Sequence, residues 1–229
     1  MLSDYIIENG VLKKYIGSEN CPILPRSITA IGEGAFFGCD CLHSIFLPPT
    51  VGRIGKTAFA CCPNLNDVVL PEGLNGIGPE AFAYCTALVN IQFSCSLIWI
   101  GDGAFADCTS LQFLRLPWQL RYIGVGAFWG CSSLFRAPLP AALAKIGTMA
   151  FGDCIRLADI DLPEGLQSLS SSAFRNCRSL RSVYLPYTLE KFGDDVFYGC
   201  TGLEEISVSP AFPYEKLDLP EGCTLYVRP

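Results

Sequence analysis

Histidine is almost absent from this chain of 229 residues, which contains only one, His43. Nucleophilic catalysis by serine or cysteine needs a general base beside the nucleophile, so the sequence predicts no such pair. The glycine-rich stretch at residues 32–38 is not a phosphate-binding loop, because it lacks a preceding buried strand and a following helix. Asp159 and Asp161 share one strand face, where we expect solvated surface carboxylates. The sequence therefore predicts a non-catalytic protein, with a glycan-acting enzyme as the remaining catalytic alternative.

Charged residues are also scarce, at 17% of the chain, and the formal net charge is −6. No run of Lys and Arg is present, which argues against a nucleic-acid partner. No uninterrupted run of about 18 apolar residues occurs, so we expect no membrane insertion. The first ten residues lack the basic and apolar regions of a signal peptide. With abundant free thiols, this favours the cytoplasm; the alternative is a secreted or cell-surface protein whose leader has been removed.

What the sequence does contain is a repeat of constant length. An Ala-Phe pair, a Cys three positions after the Phe and a Leu three positions after the Cys recur with a step of 23 residues. A constant length means that each copy occupies an equivalent place in a stack. The Ala is replaced only in the last copy, by Val196. The repeated Phe residues are Phe36, Phe59, Phe82, Phe105, Phe128, Phe151, Phe174 and Phe197.

Each unit contains one segment with the pattern of a strand. The piece L-x-x-I-x-L-P alternates apolar positions, which indicates a short strand with one buried face, ended by the Pro. The Ile-Gly and A-F-x-x-C segments indicate a turn and at most one turn of helix. One unit cannot bury its own apolar side chains, so equivalent residues should stack in columns. We predict a strand-rich α/β-type repeat solenoid of stacked 23-residue coils, with a parallel β ladder on one face and short helical or irregular segments opposite.

The A-F-x-x-C and L-x-x-I-x-L-P motifs, over about residues 22–208, resemble the leucine-rich repeats of the bacterial surface-antigen type, often called BspA-like. The resemblance implies a leucine-rich-repeat solenoid that binds a protein ligand, with a role in bacterial adhesion or host interaction. The Asn ladder of commoner leucine-rich repeats is missing, so ligand-binding expectations from those proteins transfer poorly. The alternative is a structural spacer or self-assembly domain without a specific ligand. A monomer is expected.

The two ends of the repeat predict caps. Residues 1–20 place Asn9-Gly10 between two alternating apolar runs, which predicts a hairpin with a type I′ turn. Residues 21–208 form the solenoid, with a degenerate first coil followed by eight 23-residue units. The period then ends, and residues 209–229 are predicted to form a C-terminal cap. Caps would cover the open apolar ends of the stack.

Thirteen cysteines suggest disulfides or a metal site, but eight of them belong to the repeat. In such a column a free thiol acts as a small buried hydrophobic group, and no Cys-x-x-Cys motif is present. Cys41 and His43 resemble half of a zinc site, with Cys61 as the one candidate for a third ligand. Cys39 is expected to lie in the buried column and to point elsewhere. Because tetrahedral zinc needs four ligands, we predict no metal and no other cofactor.

Residues that bind a partner are expected in slots that vary while the framework stays constant. Two outward columns flank the buried Ile of each strand, and Pro138 in one of them should weaken the ladder. In the slot before Ile-Gly, Trp99 and Tyr122 fall on consecutive coils, and Lys145 should lie against Tyr122 as a cation–π partner. The alternative is that the Trp rings only shield neighbouring turns. The partner-binding candidates are Trp99, Trp118, Tyr122, Phe46, Val69, Phe113, Arg115 and Tyr184.

Overall fold

The computed structural model describes residues 4–210, 212 and 222–227, and these residues form a strand-rich solenoid. Each coil contributes very short strands that pair with the equivalent strands of the next coil. The strands are β1 (Tyr5–Glu8), β2 (Val11–Tyr15), β3 (Ala30–Ile31), β4 (Ser44–Phe46), β5 (Arg53–Ile54), β6 (Asp67–Val69), β7 (Gly76–Ile77), β8 (Asn90–Gln92), β9 (Trp99–Ile100), β10 (Tyr122–Ile123), β11 (Lys145–Ile146), β12 (Ser168–Leu169), β13 (Ser182–Leu185), β14 (Lys191–Phe192), β15 (Glu205–Val208) and β16 (Thr224–Val227).

The longest ladder runs through the residues that precede the repeated Gly. Ten strands form this sheet in the order β1-β2-β3-β5-β7-β9-β10-β11-β12-β14. The first pair is antiparallel, and the pairs between coils are parallel with the Ile residues in register, as in Ile100, Ile123 and Ile146. The parallel ladder of the predicted solenoid is therefore confirmed. Its most continuous part, however, lies in the Ile-Gly segment that the sequence predicted to be a turn.

The L-x-x-I-x-L strands form two shorter parallel sheets, β4-β6-β8 and β13-β15-β16. Between these sheets, only isolated bridges join Phe113 to Arg136, Arg136 to Asp159 and Asp159 to Ser182. Pro138 lies within this interrupted region and, as predicted, coincides with a weakened ladder. Since Pro has no N–H group, it cannot donate a hydrogen bond to a neighbouring strand.

The face formed by the A-F-x-x-C segments is irregular. Residues 4–210, 212 and 222–227 contain no α-helix, and the predicted short helical segments of the repeat are turns instead. Two positions in each coil have a positive φ, for example Thr57 at 49° and Cys61 at 58°. A left-handed residue cannot continue a right-handed helix. Because two left-handed residues lie only four positions apart, the Ala-Phe pair between them is confined to a tight turn.

The N-terminal strands form the predicted hairpin geometry. Asn9 and Gly10 have φ values of 50° and 77°, and a type I′ turn requires positive φ at both positions. Strand β2 pairs in parallel with β3, which places the hairpin at the end of the ten-stranded sheet. The capping role of residues 1–20 stays a prediction. Most of the predicted C-terminal cap, residues 209–229, lies outside the described residues.

The core contains a continuous stack of the repeated Phe rings. Neighbouring rings have centroids 4.9–5.9 Å apart and are nearly parallel. Tyr15 of β2 continues the stack, at 5.1 Å from Phe36. Backbone hydrogen bonds join the same turns from coil to coil, as between Phe105 N and Ala127 O at 2.7 Å. The coils are therefore held together both inside the core and along the turn face.

Candidate functional site

The interruption of the L-x-x-I-x-L ladder coincides with a groove of about 620 Å³ on the surface. The two segments that line it come from consecutive coils. One of them contains Pro138 and Pro140, which cannot donate hydrogen bonds to an adjacent strand. We call this feature the Trp118 groove. It is lined by Phe113, Arg115, Leu116, Trp118, Pro138, Leu139, Pro140, Ala141 and Ala142.

Three of the eight candidate partner-binding residues lie together in the Trp118 groove. Trp118 follows the buried Pro117 and is 70% exposed, which is high for so large an apolar side chain. The guanidinium carbon of Arg115 lies 5.7 Å from the ring centroid of Phe113. Phe113 itself is half-buried. The groove thus combines an exposed indole, a partly fixed aromatic ring and one cation, Arg115, among otherwise apolar walls.

The other strand candidates lie on the two short sheets, away from this groove. Phe46 on β4 is exposed and lies directly opposite Val69 on β6, which is half-buried. Tyr184 on β13 is half-buried and pairs in register with Ser207. These side chains do not form one patch with Trp118, because the interrupted ladder separates the sheets. The partner-binding role of all three stays a prediction.

A second aromatic group lies on the ten-stranded sheet. Trp99 and Tyr122 pair in register, and the Lys145 Nζ lies 5.5 Å from the Tyr122 ring centroid, so the cation–π contact is confirmed. The Trp99 indole lies across Gly76, where an added Cβ would overlap the ring. Burial and the nearby Asp102 raise the pKa of Tyr122. The Trp99 ring therefore covers backbone of the neighbouring coil but remains 39% exposed, and the partner-binding role of Trp99 and Tyr122 stays a prediction.

The repeated cysteines are hydrogen-bond donors as well as small apolar groups. From Cys62 onward, each Sγ donates to the carbonyl oxygen of the Phe 26 residues earlier, at 3.0–3.2 Å. Burial raises the pKa of the Cys108 thiol well above its ordinary value, so this thiol stays protonated and available as a donor. Sequence reasoning missed this role. The fixed Phe-to-Cys spacing was the signal that could have indicated it.

The candidate zinc ligands do not assemble into a site. Within the described part of the chain, no three His, Cys, Asp or Glu side chains come together so as to hold a metal ion. The ring nitrogen Nδ1 of His43 lies 2.9 Å from the carbonyl oxygen of Cys41. The expectation that Cys39 points away from Cys41 was wrong, because their sulfur atoms lie 3.3 Å apart and both residues are half-buried.

Charged side chains at the surface form sparse contacts. Arg181 and Glu204 are 3.3 Å apart, and both side chains are largely exposed. Asp159 and Asp161 are exposed too, on either side of the buried Ile160. Neither Asp159 nor Asp161 pairs with His43, which lies on a distant coil near the N-terminus.

Among the described residues there is no helix that is long and apolar enough to cross a bilayer.

Comparison with known families and structures identifies the repeat. The family model for the BspA type leucine rich repeat region matches residues 7–135 and 133–219, with six copies. The chain is similar to a leucine-rich repeat protein of T. pallidum (TpLRR), at 28% identity over 84% of this chain and 82% of that one, with a TM-score of 0.61.

A more distant similarity shows the fold alone. A leucine-rich repeat protein from Eubacterium ventriosum is 20% identical over 86% of this chain and 50% of that chain, with a TM-score of 0.58. No curated protein matches the chain. The repeat pattern, the solenoid and these similarities agree with one another.

Proposed function

The chain belongs to the BspA-type leucine-rich repeat family, and from this premise we propose that it is a non-catalytic protein-interaction module whose contact surface is the Trp118 groove. The observation that carries the proposal is Trp118, an indole that is 70% exposed at the rim of an apolar groove. Trp and Arg are enriched among the residues that dominate binding energy at protein interfaces. Both are present here, within one groove.

The chemistry of the groove favours an extended protein segment with apolar side chains. Leu116, Leu139 and the two prolines provide apolar walls, so an apolar side chain of the ligand would be removed from water there. Arg115 is exposed and carries a positive charge beside Phe113. A carboxylate on the ligand, placed next to the apolar anchor, would complement that charge.

A role in bacterial adhesion or host interaction is the finer form of this proposal. It is supported by the type of family and by the bacterial origin of the similar structures. The ligand would then be a host protein rather than a small molecule or nucleic acid. The net charge of −6 agrees with this choice, because it disfavours binding to phosphate backbones.

A phage library of random dodecapeptides, selected against the immobilised full chain, tests the proposal. We expect enriched peptides that contain apolar residues and an acidic residue. Trp118→Ala should weaken the binding of the enriched peptides by about thirtyfold or more, because anchor residues contribute roughly 2 kcal/mol or more. The melting temperature should remain close to that of the parent, since exposed side chains contribute little to stability.

Trp99→Ala is the matched control, because it removes an indole from the other aromatic group. The proposal is contradicted if the selected peptides lose binding to the Trp99 variant and keep binding to the Trp118 variant. Selection of no peptide, together with concentration-dependent self-association in light scattering, would instead support the structural spacer or self-assembly alternative. Turnover of glycans by the purified chain would support the enzyme alternative.

A further inference from the structure

Cys39 and Cys41 form a close pair of thiols at the N-terminal end of the solenoid. Their sulfur atoms are 3.3 Å apart, and a single residue, Asp40, separates them in the sequence. The Sγ of Cys41 also lies 3.8 Å from the carbonyl oxygen of Gly17. Both cysteines are half-buried, so reagents can reach them. The proposed binding function makes no use of this pair.

The end of the cysteine column explains why these two thiols meet. Every later column thiol from Cys62 onward donates to the carbonyl oxygen of the Phe 26 residues earlier. The residue 26 positions before Cys39 is Lys13, which lies in the N-terminal hairpin. No column Phe lies at this spacing before Cys39. The Cys39 thiol contacts Cys41 instead.

The partner thiol is specific to this coil. The position two residues after the column Cys contains Asn64, Ala87, Ser110, Ser133, Arg156, Ser179 and Gly202 in the later units. Cysteine therefore replaces a variable surface residue in the one coil where the column thiol contacts a sulfur atom and not a Phe carbonyl oxygen. The added cysteine and the changed contact of the column thiol thus occur in the same coil.

We propose that Cys39 and Cys41 are a redox modification site that closes to an intrachain disulfide by exchange with a low-molecular-weight disulfide. In the net reaction, the two cysteine thiols and one oxidant disulfide give the Cys39–Cys41 disulfide and two free thiols of the former oxidant. Two electrons pass from the cysteine sulfurs to the oxidant, and both protons end on its released thiols.

The burial of Cys39 and its hydrogen bond with Cys41 indicate which thiol reacts first. Burial, followed by the hydrogen bond with Cys41, raises the pKa of the Cys39 thiol to about 12, so Cys39 stays protonated and can donate to the Cys41 sulfur. The Cys41 thiolate attacks the oxidant, and one thiolate of the oxidant leaves. Cys39 then loses its proton to the solvent and attacks the Cys41 sulfur, which expels the second thiolate. The sulfurs must approach by about 1.3 Å to reach a bonded distance.

Tryptic cleavage isolates the pair for measurement. Cleavage after Arg26 and Arg53 releases residues 27–53, in which Cys39 and Cys41 are the only cysteines. The folded full chain is equilibrated in buffers of reduced and oxidised glutathione, acid-quenched, alkylated and digested. We expect residues 27–53 to become lighter by the mass of two hydrogen atoms and to resist alkylation. The Cys39–Cys41 disulfide should close in the folded chain at a ratio of oxidised to reduced glutathione that is roughly tenfold lower than for the same chain in guanidinium.

Two variants separate the steps. Cys39→Ser should stop the reaction at a mixed disulfide, so residues 27–53 should carry one glutathione on Cys41. Cys41→Ser should leave Cys39 reduced and open to alkylation after denaturation. The proposal is overturned if the folded parent keeps two alkylatable thiols, if it ends as a glutathione adduct without closure, or if the folded and denatured chains close under the same conditions.

Discussion

Replacing Phe105 with alanine should destabilise the solenoid by about 3–5 kcal/mol, the range for truncating a large buried aromatic side chain. Phe105 is fully buried, and its ring is stacked between Phe82 and Phe128 with centroids 5.3 Å away on both sides. Phe93 adds an edge-to-face contact at 5.9 Å. The substitution removes three aromatic contacts at once, each contributing about 0.5–1.5 kcal/mol beyond burial.

The loss should fall in the upper part of that range because the backbone has little freedom to close the cavity. Phe105 N donates to Ala127 O at 2.7 Å, and Phe82 N donates to Ala104 O at 2.8 Å. These bonds fix the distance between consecutive coils on both sides of the missing ring. The cost of a core truncation rises with the volume of the cavity that remains.

Guanidinium unfolding, followed by circular dichroism, measures the loss of stability. Phe46→Ala is the matched control, since it removes the same side chain from an exposed strand position and should change stability by less than about 0.5 kcal/mol. A mid-solenoid cavity should also weaken coupling between the two halves, so the denaturant slope should fall. A loss for Phe105→Ala as small as that of the Phe46 control would refute the stacked Phe column as the core.

Four further variants test other parts of the structure. Cys108→Ala should cost about 1–3 kcal/mol in chemical unfolding because the Phe82 carbonyl loses its donor, and Cys108→Ser should cost less because a hydroxyl can still donate; the reverse order would argue against the thiol–carbonyl bond. Burial and the nearby Asp153 raise the pKa of Asp107, so the folded state favours its protonated form, and that stabilising contribution is lost as the pH rises above about 4. Asp107→Asn should therefore raise the melting temperature at pH 7 and have little effect below about pH 4, whereas a gain independent of pH would contradict the assignment. Deleting residues 1–20 should expose the edge of β3 and cause association in light scattering, whereas an equally stable monomer would exclude a capping role.

The sequence was sufficient to predict the columns, because identical spacing puts identical side chains in equivalent places. The Phe stack, the Asn9-Gly10 turn and the contact between Lys145 and Tyr122 all follow from spacing and known turn chemistry. The position of the continuous ladder could not be predicted. Its strands between coils, such as Tyr122–Ile123, have only two residues, which is too short for an alternating pattern.

The sequence also could not predict that the A-F-x-x-C segments are turns without helix. Left-handed backbone usually indicates Gly, Asn or Asp, but here Met149 and Glu80 adopt it at φ values of 53° and 54°. These residues give no local signal, and the contacts with neighbouring coils hold them in place. The Cys39–Cys41 contact was missed for a different reason, because a rule that describes the middle of a column fails at its end.

Only part of the Trp118 groove could be predicted from the sequence. The sequence identified three residues of the groove, Phe113, Arg115 and Trp118, as variable surface residues. Their proximity, however, depends on the path of the backbone after Pro117. Pro138 predicted a weaker ladder without predicting a groove. Pro138 and Pro140 both line the groove, in the region where isolated bridges replace the ladder.

The hydrogen bonds between coils run along the axis of the solenoid, and this direction determines how the protein should respond to tension. A force that pulls the two ends apart loads the bonds of the outermost coil first, since each coil contacts only its neighbours. The coils should therefore peel away one after another at low force. Each one would release a contour length of about 80 Å, from 23 residues at about 3.5 Å each. A domain of this kind yields gradually under load, and its remaining coils keep their shape while the end unravels.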